Sequence, residues 1–217
     1  MSRTFLDRES MAWIGLTAAG FASGIALAII SGEPAGHILP KAWIATVFGM
    51  MALTVTLMCI AGSVLGTAQW IRLRTTLSKP YRWIVVTALG LGFGVSISVA
   101  LVEHAGEYLA GHPLRFLALS LPVQLVSLAV VGALAGVILG ASQALALRAD
   151  TKVPNHWVAR SLIALMLSLP ISLLAITAIL GTLSSLPGFA AFLLLAGALL
   201  GAFTGVPSAA RSSRQLK

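Results

Sequence analysis

The stretch Ala61–Trp83 reads AGSVLGTAQWIRLRTTLSKPYRW, and Ala135–Trp157 reads AGVILGASQALALRADTKVPNHW. At a shift of 74, nine of 23 aligned positions are identical without a gap. The pairs are Ala61/Ala135, Gly62/Gly136, Leu65/Leu139, Gly66/Gly140, Gln69/Gln143, Leu73/Leu147, Arg74/Arg148, Pro80/Pro154 and Trp83/Trp157. Chance at typical residue frequencies gives about two. Each stretch starts in an apolar run with glycines four apart. It then passes a glutamine, meets arginine and ends on proline and tryptophan. Such self-similarity marks an architecture of repeated units.

A second register relates Trp13–Gly36 to Trp83–Gly106 at a shift of 70, with nine of 24 positions identical, Trp13/Trp83, Gly20/Gly90, Gly24/Gly94 and Glu33/Glu103 among them. The unit is therefore a two-helix hairpin. Its first helix reads Trp-x6-Gly-x3-Gly and leads into an outer loop Glu-x-Ala-Gly. Its second reads Gly-x3-Gly-x2-Gln-x3-Leu-Arg and leads through Pro-x2-Trp into the next unit. Repeat 1 covers about 11–74, repeat 2 about 83–148 and repeat 3 about 157–208. The third copy has diverged: Ala164 and Ser168 replace the two glycines after Trp157, and Gly197, Gly201 and Gly205 continue a ladder that has no glutamine. A unit with an even number of spans repeats without inversion, so the pseudo-symmetry axis runs along the membrane normal.

Composition fits this reading. Of 217 residues, 58% are hydrophobic and only 9% are charged, against about 25% charged in a soluble domain. Mean hydropathy is +0.98. Six runs are long enough to cross a bilayer: Met11–Ser31, Trp43–Gln69, Trp83–Val102, Phe116–Leu147, Val158–Leu183 and Pro187–Val206. The fold class expected is an all-α polytopic membrane protein, a single domain of six transmembrane helices arranged as three parallel pairs. Barrel strands would alternate polar and apolar residues, and these runs do not.

Charge placement sets the orientation. Twelve of the 14 basic residues lie on one side of the six spans, and only Lys41 and Arg115 on the other. The positive-inside rule then puts both termini in the cytoplasm. Arg3 and Arg8 alternate with Asp7 and Glu9, a poor basic n-region, so the first span reads as an uncleaved helix and not as a removed signal. The localisation expected is a bacterial inner membrane. The net charge of +8 is dispersed beside the membrane and implies no nucleic acid.

Glycines four apart share a helix face and let two backbones approach. Gly20, Gly24, Gly62, Gly66, Gly90, Gly94, Gly136, Gly140, Gly201 and Gly205 are expected to pack helix on helix. Gln69 and Gln143 lie one turn inside the arginines. They suit an interhelical hydrogen bond, with lining of a substrate path as the alternative. Arg72, Arg74, Arg82, Arg148 and Lys152 are expected to hold lipid headgroups. Trp13, Trp70, Trp83 and Trp157 at the inner ends, with Trp43 outside, read as an aromatic belt. Glu33, His37, Glu103, His104, Glu107 and His112 gather on the outer side, but their spacing matches no compact metal motif, and solvated loop positions are expected. No metal or other cofactor is expected. One cysteine, Cys59, excludes an internal disulfide or a cysteine-based metal site.

No acid or base lies near a span centre, where it would mark an ion path. Ser96, Ser98, Gln124, Thr54 and Thr56 are the polar candidates, all satisfiable within their own helices. There is no phosphate-binding loop, zinc-helix motif or nucleophile elbow, so the sequence reads as a non-enzyme.

The run Gly-x3-Gly-x2-Gln-Trp-x2-Leu-Arg at Gly62–Arg74, followed by Pro80, Trp83 and a glycine-rich span, resembles a broad group of uncharacterised bacterial multi-pass membrane proteins that repeat such a hairpin. The resemblance covers about two thirds of the chain. It implies the architecture and no activity. Ala144 stands where the group shows tryptophan, and the third copy lacks the motif. The function expected is a scaffold or accessory subunit of a membrane complex, with lipids and other membrane subunits as partners. The alternative is a transporter or channel for a small neutral or lipidic solute.

Overall fold

A computed structural model of the chain describes residues 8–40, 47–74, 77, 79–110, 120–148, 156–180 and 186–204. Six helices fill these segments, and no strand occurs among the described residues. They are α1 (Arg8–Ile38), α2 (Val47–Leu73), α3 (Tyr81–Ala110), α4 (Leu121–Arg148), α5 (Trp157–Leu180) and α6 (Leu186–Thr204). Five contain spans long and apolar enough to cross a membrane: Ser10–Gly32, Phe48–Leu73, Tyr81–Ala105, Leu121–Arg148 and Trp157–Ala175. The sixth is shorter, with Ala190–Thr204 as its described apolar part. The chain is a polytopic helical membrane protein.

Each helix packs on its neighbours in sequence, and α1 also packs on α6. The six helices therefore close into a ring. One cluster of buried side chains draws on all six: Phe21, Leu65, Leu91, Leu139, Leu165 and Leu200 are at most 7% exposed. Large apolar side chains such as Ile30, Phe48, Phe93, Val126, Ile163 and Leu194 point outward. In water this outer face would be a penalty; against lipid tails it is matched to its solvent.

The glycines explain the spacing of the ring. A Cβ on Gly24 would lie 2.5 Å from the Ala61 carbonyl oxygen, and one on Gly20 2.7 Å from Ala68 Cβ, so α1 meets α2 there. Gly62 and Gly66 of α2 face the backbone of Ala88 and Ile84 on α3, and Gly94 of α3 faces Ala135 on α4. Gly136 and Gly140 face Ser161, Leu162 and Val158 on α5, while Gly197 and Gly201 face Ala18 and Ile14 on α1. Residues related by the sequence offsets thus make corresponding contacts around the ring. Gly205 lies outside the described residues.

Two expectations need correction. The Glu-x-Ala-Gly segments are not loops. Residues 33–36 continue α1, and residues 103–106 continue α3. His37 and His104 are helical as well. At 31 residues, α1 is about 46 Å long, well beyond a hydrocarbon core of about 30 Å. Its last turns therefore extend beyond the apolar span Ser10–Gly32, and the helix continues through Pro34 with the loss of one backbone bond.

The second correction concerns the tryptophans. Trp13, Trp83 and Trp157 are 1%, 0% and 2% exposed. They point into the bundle and not toward the lipid interface. Their height along the spans is that of a belt, but their rotation about the helices is inward. Trp70 is half-buried and lies under the Arg74 guanidinium, 5.9 Å from Cζ to the ring centroid. Trp43 lies outside the described residues.

Candidate functional site

The inward tryptophans stand near the starts of α1, α3 and α5. Gln69, Gln143 and Thr204 stand near the ends of α2, α4 and α6. Antiparallel hairpins bring all six positions to the same end of the bundle. Thr204 occupies the glutamine slot of the third copy, since Gly62-x3-Gly66-x2-Gln69 and Gly136-x3-Gly140-x2-Gln143 align with Gly197-x3-Gly201-x2-Thr204. One turn into each odd helix comes a hydroxyl: Thr17, Thr87 and Ser161 are each four residues after a tryptophan.

An indole N–H can only donate, and this orients the ring. Trp83 Nε1 donates to Gln69 Oε1 at 3.1 Å. The amide nitrogen of Gln69 is thereby turned the other way and donates to Thr17 Oγ1 at 3.3 Å. Gln143 Nε2 donates to Thr87 Oγ1 at 3.2 Å. Trp13 Nε1 donates to Thr204 Oγ1 at 3.4 Å. These bonds tie α2 to α1, α3 to α2, α4 to α3 and α1 to α6. Both glutamines are 4% exposed, and their amide nitrogens are spent between helices. Trp157 breaks the pattern: its Nε1 is the one buried side-chain polar atom without a hydrogen-bond partner among the described residues. Such an orphan donor costs about 1–3 kcal/mol.

The Trp83 and Trp157 rings meet edge to face, with centroids 6.1 Å apart and planes at 66°. A small cavity lies beside them, lined by Trp13, Gln69, Gln143, Trp157, Ser161 and Thr204. Leu65, Leu139 and Leu200 also line it. These three are equivalent by repeat position and almost fully buried. Other membrane-embedded hydroxyls bond within their own helices. Ser96 donates to the Gly92 carbonyl at 2.7 Å, Thr54 to Met50 at 2.9 Å and Thr56 to Ala52 at 2.8 Å, and Ser98 bonds the Gly94 carbonyl.

The arginines surround this end of the bundle. Arg72 ends α2, Arg82 starts α3, Arg148 ends α4 and Arg160 lies in the first turn of α5. Arg74, Lys79, Arg82, Arg148 and Arg160 are exposed. Lys152 lies outside the described residues. At the opposite end Glu103 and His104 are exposed on the last turns of α3. The side chains of Glu33, His37 and Glu107, and all of His112, lie outside the described residues. No group of three His, Cys, Asp or Glu side chains close enough to hold a metal occurs among the described residues.

The sequence reading singled out the glutamines and missed their partners. The signal was present as Trp-x3-Thr/Ser, repeated at Trp13/Thr17, Trp83/Thr87 and Trp157/Ser161. Comparisons with protein-family models, with curated proteins and with solved structures give no match to this chain.

Proposed function

We propose that the chain is a non-catalytic scaffold or accessory subunit of a complex in a bacterial inner membrane, with both termini cytoplasmic. One observation supports the reading above the others: large apolar side chains from all six helices pack the bundle interior. Leucines from three helices and Phe21, Leu91 and Leu165 from the other three occupy it, and the polar groups at its basic end are bonded mostly to one another. The described glycine ladders face helices of the same chain. Contact with another subunit then falls to the outward apolar faces, not to the glycines. Arg72, Arg74, Arg82, Arg148 and Lys152 hold the phosphates of an anionic leaflet, each contributing about 1 kcal/mol. Native mass analysis after extraction in mild detergent tests the proposal. A stoichiometric membrane-protein partner is expected, and a lone chain with bound lipid overturns it.

A second reading, passage of a small neutral solute, is favoured by the cavity beside Gln69 and Gln143 on the bundle axis. In that case replacing both glutamines by leucine abolishes uptake at unchanged expression. Unaltered uptake in the double variant removes them from any transport path.

A further inference from the structure

We propose that the axial cavity is a binding site for a single structural water molecule, held by Trp157 Nε1, Gln143 Oε1 and a hydroxyl of Ser161 or Thr204. The proposal rests on the third repeat and is independent of any partner. In the first two copies a glutamine bridges the indole of the following odd helix and the hydroxyl of the preceding one, or one side of that bridge. In the third copy the slot holds Thr204, which lacks the reach of a carboxamide. Thr204 Oγ1 accepts from Trp13 and donates to the Leu200 carbonyl at 2.8 Å. It makes no bond to Ser161, whose hydroxyl instead donates to the Trp157 carbonyl at 3.1 Å.

The space left by the shorter side chain is the cavity. It offers about 10 Å³ to the centre of a water molecule, the size at which roughly one water fits. Three independent features make it a site and not a void. Trp157 lines it, is 2% exposed, and carries the buried Nε1–H that has no acceptor. Gln143, the counterpart of the glutamine that accepts from Trp83, lines it too. Ser161 and Thr204 retain lone pairs after the bonds named above. A water there accepts from Trp157 and donates to Gln143 Oε1 and to one hydroxyl, which meets the two to four polar partners that buried waters need. The water thus stands in for the missing carboxamide.

The test is a crystal structure of the full chain at a resolution that shows ordered waters, with water–indole contacts measured by NMR on 15N-tryptophan-labelled protein in micelles. A density peak within hydrogen-bond distance of Trp157 Nε1 is expected, together with a long-lived water contact at the Trp157 indole proton and none at Trp83. A direct Trp157–Gln143 bond, or an ordered Trp157 with no neighbouring peak, overturns the proposal. In T204Q the longer side chain should fill the site and remove both signals; an unchanged water contact in that variant also overturns it. The wild-type measurement decides the matter even if T204Q does not fold.

Discussion

Gly136→Ala puts a methyl group where α4 and α5 approach closely. The new Cβ lies 2.6 Å from the Ser161 carbonyl oxygen and 2.7 Å from Leu162 Cα. Both are backbone atoms and cannot rotate away. Ordinary contact begins at 3.4 Å, so the helices must part by about 0.8 Å at this level, the difference between 3.4 and 2.6 Å. A radial gap of roughly 0.5–1 Å forfeits a quarter to a half of each dispersion contact across the interface. Overpacking of this kind costs about 1–3 kcal/mol. Alanine also favours the helix over glycine by about 0.8–1.0 kcal/mol, so the variant needs a control carrying that gain alone. Gly15→Ala supplies it, because its added Cβ meets nothing within 4 Å. Reversible unfolding of both variants in mixed micelles with increasing SDS gives the comparison. G136A should be less stable than G15A by about 1–3 kcal/mol. If G136A equals or exceeds G15A, the close approach of α4 and α5 is not what holds this part of the ring.

Gln69→Leu should destabilise more than Gln143→Leu in the same titration, because Gln69 bonds both Thr17 and Trp83 directly whereas Gln143 makes one direct interhelical bond, to Thr87, and none to Trp157. The excess is one interhelical hydrogen bond in lipid, on the order of 0.6–1.7 kcal/mol, and equal losses would refute the asymmetry. Cys59 sits mid-way along α2 against Gly92 of α3. A membrane-impermeant maleimide should leave it unlabelled in sealed vesicles and label it in SDS, whereas fast labelling in vesicles would contradict its depth. Alkaline phosphatase fused after Lys217 should be inactive, and a fusion after His112 active. The reverse pattern would invert the orientation drawn from the basic residues.

The spans were legible because apolar runs of this length have few other uses, and the glycine ladders because period four is a face. The inward tryptophans were not. A tryptophan at the end of a span satisfies an interfacial belt and a buried hydrogen bond equally well, and height along the helix does not choose between them. The choice lies in rotation. Thr17, Thr87 and Ser161 follow the tryptophans by one turn and share their face. A run of polar hydroxyls on the tryptophan face argues for the bundle interior, because lipid offers them nothing to bond. The helical ends beyond Pro34 and Glu103 escaped for a different reason: proline, glycine and charge signal a break inside lipid, but a helix that has already left the hydrocarbon core tolerates all three. The cavity depends on the identity of one residue, Thr204, whose meaning emerges only when its ladder is aligned with the two glutamine copies.

The glycine ladders and the polar ring divide the work of specifying the bundle. A ladder with a glycine at every fourth residue is nearly blind to a slip of one turn. After a four-residue slip, about 6 Å along the axis, Gly136 takes the place of Gly140 and the surfaces still interdigitate. Ladders therefore bring helices together without fixing their register. The bonds from Trp83 to Gln69 and from Gln143 to Thr87, at 3.1 and 3.2 Å, do not survive such a slip. In lipid the separated groups would find no water to replace the lost partner. A few polar side chains at one end of a coiled bundle set register in the same way. The ring closes between α6 and α1, where Trp13 and Thr204 meet in a long 3.4 Å contact. Divergence of the third repeat thus leaves register control weakest around α5, because none of the four interhelical bonds crosses the α4–α5 or α5–α6 seam.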